Sequence, residues 1–293
     1  MKKFIFFLLN IATITILLAV TLDFLYTNIY LQSNNRRKIG YMYNSNPKTI
    51  DVIILGSSRA NNHFVTPLFA EKGLTAFNFG MQGSRLFESD LVLKILLEKK
   101  YIIKNVIIEV DLNLRSDFNS YSESNVLKFM PYLYSSENVR NQFENLSDYN
   151  FGYYIPFYRY MKYDTSLGFR EVFFSAINKK SKELDNGGYN ALYNSDEKRP
   201  LDLSAFSPAK NKYYEEIRHL CKQNNINLIA IMTPVCKNTK GMNYFVKVNK
   251  VYPEINNYAN VIQDDKCFYS CGHMNDIGAR IFTTRVLKDF FNK

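Results

Sequence analysis

Three short apolar runs, at residues 50–55, 76–79 and 106–110, alternate with two stretches whose apolar residues repeat at helical spacing, residues 61–72 and 85–100. Runs this short, apolar but for one residue each and closed by glycine or polar residues, read as strands buried on both faces. Strand alternating with helix predicts a parallel sheet covered by helices on both faces. Ligands of such sheets bind beyond the carboxyl ends of the strands. The residues just past each run therefore matter most, and Ser58 stands shortly after the first. The alternation resumes with a helix over 209–223 and a strand over 227–232, which Thr233-Pro234 ends because proline cannot continue a central ladder. A partly helical stretch over 241–257, a last short strand over 259–263 and a helix over 275–291 complete the pattern.

Between these halves the pattern breaks. Residues 114–205 are rich in Tyr, Phe, Asn and Ser, and Phe151, Tyr153, Tyr154, Phe157, Tyr158, Tyr160 and Tyr163 crowd together. Either these rings pack a helical insertion onto the core, or they line a lid facing a sugar. So many exposed aromatic rings require something to cover them. Asn186-Gly-Gly188 and the polar run 194–200 read as loops at the end of the insertion.

The N-terminus reads Met1-Lys2-Lys3 and then runs apolar from residue 4 to 20, broken only by Asn10 and threonines. Leu22, Phe24, Leu25, Ile29 and Tyr30 extend it to about 25 residues, enough to span a bilayer. A charged start followed by such a run predicts a signal anchor over 1–30 in preference to a cleaved signal peptide. Lys2 and Lys3 would then stay in the cytoplasm, and the main domain would lie outside it, in the periplasm or beyond the cell. Asp23 falls at the outer end, where headgroups can solvate it. The polar stretch 31–48 reads as a linker, and 49–293 as one large α/β domain carrying the insertion.

The formal net charge is +10. It describes a solvated basic surface or one drawn to phospholipid headgroups or an acidic glycan. No zinc-finger spacing or RNA-binding aromatic motif occurs, so nucleic acid is not an expected partner. Cys236 is placed to pair with Cys267 or Cys271 in an oxidising compartment, with free half-buried thiols the alternative. Cys267, Cys271 and His273 lack a fourth ligand at a usual spacing, so neither a metal nor another cofactor is expected.

His273 sits in a short polar loop directly before the last helix, and Ser58 directly after the first strand. A serine and a histidine so placed are two parts of a nucleophilic site. The chain here resembles the SGNH hydrolase superfamily, the GDSL-like esterases. Gly56-Ser57-Ser58 is similar to the family's Gly-Asp-Ser block, Phe77-Asn78-Phe79-Gly80-Met81-Gln82-Gly83-Ser84 to its glycine block, and Ile107-Ile-Glu109-Val-Asp111-Leu-Asn113 to its asparagine block. The run His-x-Asn-x-x-Gly-Ala from His273 is similar to the last block of membrane-anchored members that work on cell-envelope polymers. The resemblance spans about residues 50–290, apart from the insertion.

It implies a three-layer, flavodoxin-like sheet with Ser58 as nucleophile and His273 as base. The Ser58 and Gly83 N–H groups and the Asn113 amide would form the oxyanion hole. The implied activity is that of an esterase or O-acyltransferase on an envelope polysaccharide, served by a membrane acyl-transfer partner. One position departs from the family: Ser270 stands where an aspartate normally precedes the histidine by three. Ser270 itself, Asp264, Asp265 and Asp111 are the candidates for the third triad member. The alternatives are a Ser-His dyad or a catalytically silent domain that binds glycan or a partner protein. Arg59 reads as a clamp for an acidic substrate or as one half of a surface salt bridge, and His63 and His219 read as structural.

Overall fold

The computed structural model describes residues 1–117, 120–193 and 200–292. In chain order its elements are α1 (Lys2–Gln32), α2 (Lys38–Asn44), β1 (Thr49–Leu55), α3 (Ser58–His63), α4 (Thr66–Ala70), β2 (Ala76–Asn78), α5 (Leu86–Glu98) and β3 (Ile102–Glu109). The helices α6 (Glu123–Val126), α7 (Glu137–Phe143), α8 (Tyr149–Tyr154), α9 (Tyr158–Lys162), α10 (Asp164–Leu167) and α11 (Phe169–Ala176) follow. Then come α12 (Lys212–Gln223), β4 (Asn227–Met232), α13 (Asn243–Val251), β5 (Asn256–Asn257), β6 (Phe268–Ser270), β7 (His273–Met274) and α14 (Asp276–Phe291). The chain divides into two compact units, residues 1–46 with 123–181, and 47–122 with 182 onward.

The second unit is an α/β fold. Five of its strands form one all-parallel sheet, in the order β2-β1-β3-β4-β5, and helices flank it. Ile53 pairs with Phe77 on one side and Val106 on the other, and Ile107 pairs with Ile229. The β-branched residues of β1, β3 and β4 suit a sheet buried on both faces. Val52, Ile54, Ile107, Ile229 and Ile231 join Phe64, Phe282 and Val286 in one core cluster. Truncating one of these isoleucines to alanine would cost about 2–5 kcal/mol. The winding reverses between β1 and β3, which opens a crevice at their carboxyl ends.

Some elements depart from the sequence expectation. The helix expected over 61–72 is two, α3 and α4, with Phe64 and Val65 extended between them. Proline cannot donate within a helix, so Pro67 is accommodated only in the first turn of α4. The last strand of the sheet is β5, not residues 259–263. Tyr258 still donates to the Met232 carbonyl, but the Asn257 side chain then takes the Ala259 N–H and turns the chain away. The hairpin β6–β7 had no signal in the sequence. Its strands hold three and two residues, too few to show a period.

The first unit is helical. The segment read as a linker carries α2, in which Ile39, Met42 and Tyr43 are buried at helical spacing and Tyr43 packs on Tyr132 at 4.3 Å. Of the expected insertion, residues 123–181 join α1 and α2, whereas 182–193 belong with the sheet unit. Two of the crowded rings, Phe157 and Tyr160, pack on α1. Tyr26 meets Phe157 edge-on at 4.9 Å, and Tyr30 stacks on Tyr160. Asp23 is not left to solvent: Oδ1 accepts from Arg159 at 2.7 Å and Oδ2 from the Phe157 N–H at 2.7 Å. Of the loop read over 194–200, residues 194–199 lie outside the described residues. Among the described residues α1 alone is long and apolar enough to cross a membrane, as an anchor or as a signal sequence.

Candidate active site

β1 ends at Leu55 and Gly56 turns the chain with φ 135°, a backbone that side chains rarely adopt. A Cβ there would also stand 2.9 Å from the Glu109 carboxyl. The turn delivers Ser57 as the cap of α3, its side chain accepting the Arg59 N–H, and Ser58 as the first helical residue. A first-turn N–H has no partner within its own helix, so the Ser58 amide is free of that obligation. From the other end of the chain, β6–β7 presents His273, and Asn275 caps α14 by accepting the Gly278 N–H. The two meet: Ser58 Oγ lies 2.8 Å from His273 Nε2.

On the far side of the imidazole, Ser270 Oγ lies 3.3 Å from Nδ1. The Ser58 proton can pass to Nε2 only when Nδ1 carries the ring hydrogen, and Ser270 can accept that hydrogen. Of the four candidates for the third position, Ser270 is the one hydrogen-bonded to the ring. Asp264 caps its own turn through the Lys266 N–H, and Asp265 opens that turn. Asp111 is committed elsewhere. Burial and the Arg59 charge pull the His273 pKa down to about 4, and Asp111 opposes them.

Arg59 is no surface residue. It is 2 % exposed and pairs with the fully buried Asp111 at 3.3 Å. Its Nε and Nη2 donate to Thr233 Oγ1, and Nη2 also to the Thr233 and Pro234 carbonyls. Asp111 accepts the Thr233 N–H at 2.9 Å. This buried ion pair ties α3 to the ends of β3 and β4. Nη1 keeps no hydrogen bond, so it is the only part of the guanidinium left over for a clamp. His63 belongs to the same network. Nδ1 lies 3.1 Å from Thr233 Oγ1, and Nε2 accepts the Met274 N–H at 3.0 Å. A ring nitrogen that accepts from an amide is unprotonated, and burial holds the His63 pKa well below the usual value. His63 thus fixes the backbone of the residue after His273. His219 is exposed on α12 and apart from this network.

Glu109, at the end of β3, accepts both the N–H and the O–H of Ser57 through Oε2, at 2.9 and 2.6 Å. Its pKa is pushed well above the carboxylate range, by burial first and then by Asp111. Sequence reasoning gave Glu109 and Thr233 no role. The available signal was an acidic residue inside an otherwise Ile/Val strand and a polar residue closing another. Gly83 has φ 71° and lies in the loop between β2 and α5. It is Gly80 that abuts α3, where a Cβ would stand 2.6 Å from the Asn61 nitrogen. Asn113 is 5 % exposed in the turn after β3, and its Oδ1 makes no hydrogen bond. No hydrogen bond joins Gly83 or Asn113 to Ser58 or His273.

Cys236 and Cys271 form a disulfide. The Cys236 N–H also donates to the Cys271 carbonyl at 3.1 Å. The bond ties the loop after β4, which receives Arg59, to the hairpin that carries His273. Cys221 and Cys267 are buried and lie outside this disulfide. No protein-family model and no curated protein matches this sequence.

Proposed function

We propose that the chain is a membrane-anchored serine esterase or O-acyltransferase of SGNH type, acting on an envelope polysaccharide through an acyl-serine intermediate. The observation that carries this reading is the 2.8 Å contact between Ser58 Oγ and His273 Nε2 at the carboxyl edge of the parallel sheet. In the proposed reaction His273 takes the Ser58 proton as Oγ attacks the acyl carbonyl. The Ser58 and Gly83 N–H groups and the Asn113 amide are the proposed oxyanion donors, one such donor being worth about 3 kcal/mol in rate. Collapse expels the alcohol, which takes the proton back from Nε2. Water or a sugar hydroxyl then attacks the acyl-serine and restores Ser58.

The strand order 2-1-3-4-5 supports a three-layer SGNH arrangement, because it puts a crevice where Ser58 and Asn113 lie. The Cys236–Cys271 disulfide supports placement outside the cytoplasm. The polysaccharide and a membrane acyl-transfer partner rest on the resemblance, together with the +10 charge that suits an acidic glycan. A fluorophosphonate probe tests the nucleophile. Adduct mass should appear on the Ser58 peptide of the wild type and vanish in Ser58→Ala, and labelling that survives Ser58→Ala rejects the site. Reporter fusions at the C-terminus test the placement, which an active cytoplasmic reporter would overturn.

Ser270 favours a second reading, a silent domain that binds glycan or a partner protein. A hydroxyl stabilises imidazolium poorly, and Arg59 disfavours it further. Glycan retention by the folded protein, with no turnover or labelling at any pH, selects this reading.

A further inference from the structure

The helical unit has a surface that the proposed chemistry leaves unused. From Phe4 to Val20, α1 is uncovered on every side. At Asp23 its surroundings change. Asp23 engages the fully buried Arg159 and the Phe157 N–H, Thr27 Oγ1 lies 2.7 Å from the Tyr160 hydroxyl, and Tyr26 and Tyr30 pack on Phe157 and Tyr160. One unbroken helix thus passes from bare apolar surface into folded protein within about one turn.

The chain at that crossover is itself apolar and exposed. Phe151 is 52 %, Tyr154 72 % and Ile155 44 % exposed at the end of α8. The next residue, Pro156, and Tyr134 share a cavity of about 370 Å³ with Val20, Asp23, Phe24, Thr27 and Asn28 of α1. Pro156, which follows Tyr154 and Ile155 directly, therefore sits against the last bare turn of α1. Contiguous exposed apolar side chains mark an interaction surface, and amphipathic rings favour the headgroup level of a bilayer.

We infer that the segment from Phe151 to Phe157 is a membrane-seating collar, resting in the headgroup layer of a lipid bilayer around the point where α1 emerges. The occupant is the lipid surface itself, because Pro156, within this segment, shares its cavity with the exposed Val20 and Phe24 of the span. The inference rests on the membrane-anchor reading proposed above. It also makes α1 a permanent part of the fold: removing it would strip Asp23, Tyr26, Thr27 and Tyr30 from the interior of the unit. A second exposed stripe, Phe169 and Phe173 of α11 with Ile177 just after it, belongs at another level. Arg36 and Arg37 hold α11 through Glu171, and Asp23 to Gln32 alone advances about 14 Å along the helix.

The chain contains no tryptophan, so a single introduced one reports its own position. The full-length variants Val20→Trp, Phe151→Trp, Tyr154→Trp and Phe169→Trp would be reconstituted in phosphatidylcholine vesicles brominated on the acyl chains near the headgroup. Strong quenching is expected for Val20→Trp, loss of about half the emission for Phe151→Trp and Tyr154→Trp, and little change for Phe169→Trp. If Val20→Trp is quenched while Phe151→Trp and Tyr154→Trp are quenched no more than Phe169→Trp, the collar is overturned and the anchor stands. If Val20→Trp is not quenched, the anchor reading fails and the collar with it.

Discussion

Ser58 Oγ and His273 Nε2 lie 2.8 Å apart across 215 positions of sequence. Their meeting depends on a turn at Gly56, a hairpin that presents His273, and His63, which accepts the N–H of the residue after it. The predictions below follow from that assembly.

A general base must be neutral to accept a proton, and His273 has its pKa pulled down to about 4. Turnover of a small acyl ester should therefore hold from neutrality down to roughly pH 4 and fall below it. A kcat/KM profile with its acidic limb at the ordinary histidine value would contradict this assignment of the base.

Replacing Ser270 by aspartate puts a carboxylate beside Nδ1. It should stabilise the imidazolium, move the acidic limb upward and recover part of the roughly four orders of magnitude that an intact triad commands. A variant with the limb unmoved and the rate unchanged would show that Nδ1 does not face residue 270 during catalysis.

Arg59→Met leaves the Asp111 charge buried without its partner. Denaturant unfolding should show a loss of about 3–5 kcal/mol. Adding Asp111→Asn should restore part of that loss, and strictly additive losses in the double variant would reject the pairing.

Glu109 has its folded pKa raised above the unfolded value, so its contribution to stability is fully present at low pH and is lost as pH rises. Glu109→Gln should melt close to the wild type in mild acid and above it in alkali. Parallel melting curves across the whole pH range would refute this.

Reduction should cost stability and site order together. Closing a loop over a separation of 35 residues is worth about 4 kcal/mol on the chain-entropy account. The paired variant Cys236→Ser with Cys271→Ser should unfold at lower denaturant and lose ester turnover, since Cys271 stands two residues before His273. Full activity in that variant would separate the disulfide from the site.

The parallel sheet was legible because strands buried on both faces leave short, mainly apolar runs, as residues 50–55 and 106–110 do. Ser58 and His273 stood out because each follows or precedes such an element directly. Hairpin β6–β7 escaped because two or three residues show no periodicity. The Arg59–Asp111 pair escaped because long-range partners leave no local pattern, and a charged residue in isolation reads as exposed. The place of the aromatic insertion was hidden for the same reason. Phe157 and Tyr160 pack on the C-terminal turns of α1, and nothing in either segment alone names the other.

The hairpin with His273 and the helix it opens are nearly the last residues of the chain, while Ser58 belongs to the first strand and turn of the sheet. During synthesis Ser58 is made long before the base that would activate it. On the proposed reading a nascent chain would be chemically mute until residue 273 is made. With Ser58 as the proposed nucleophile, the order of residues along the chain would act as a timer, withholding it until the sheet has been built and the Cys236–Cys271 clasp can close behind it.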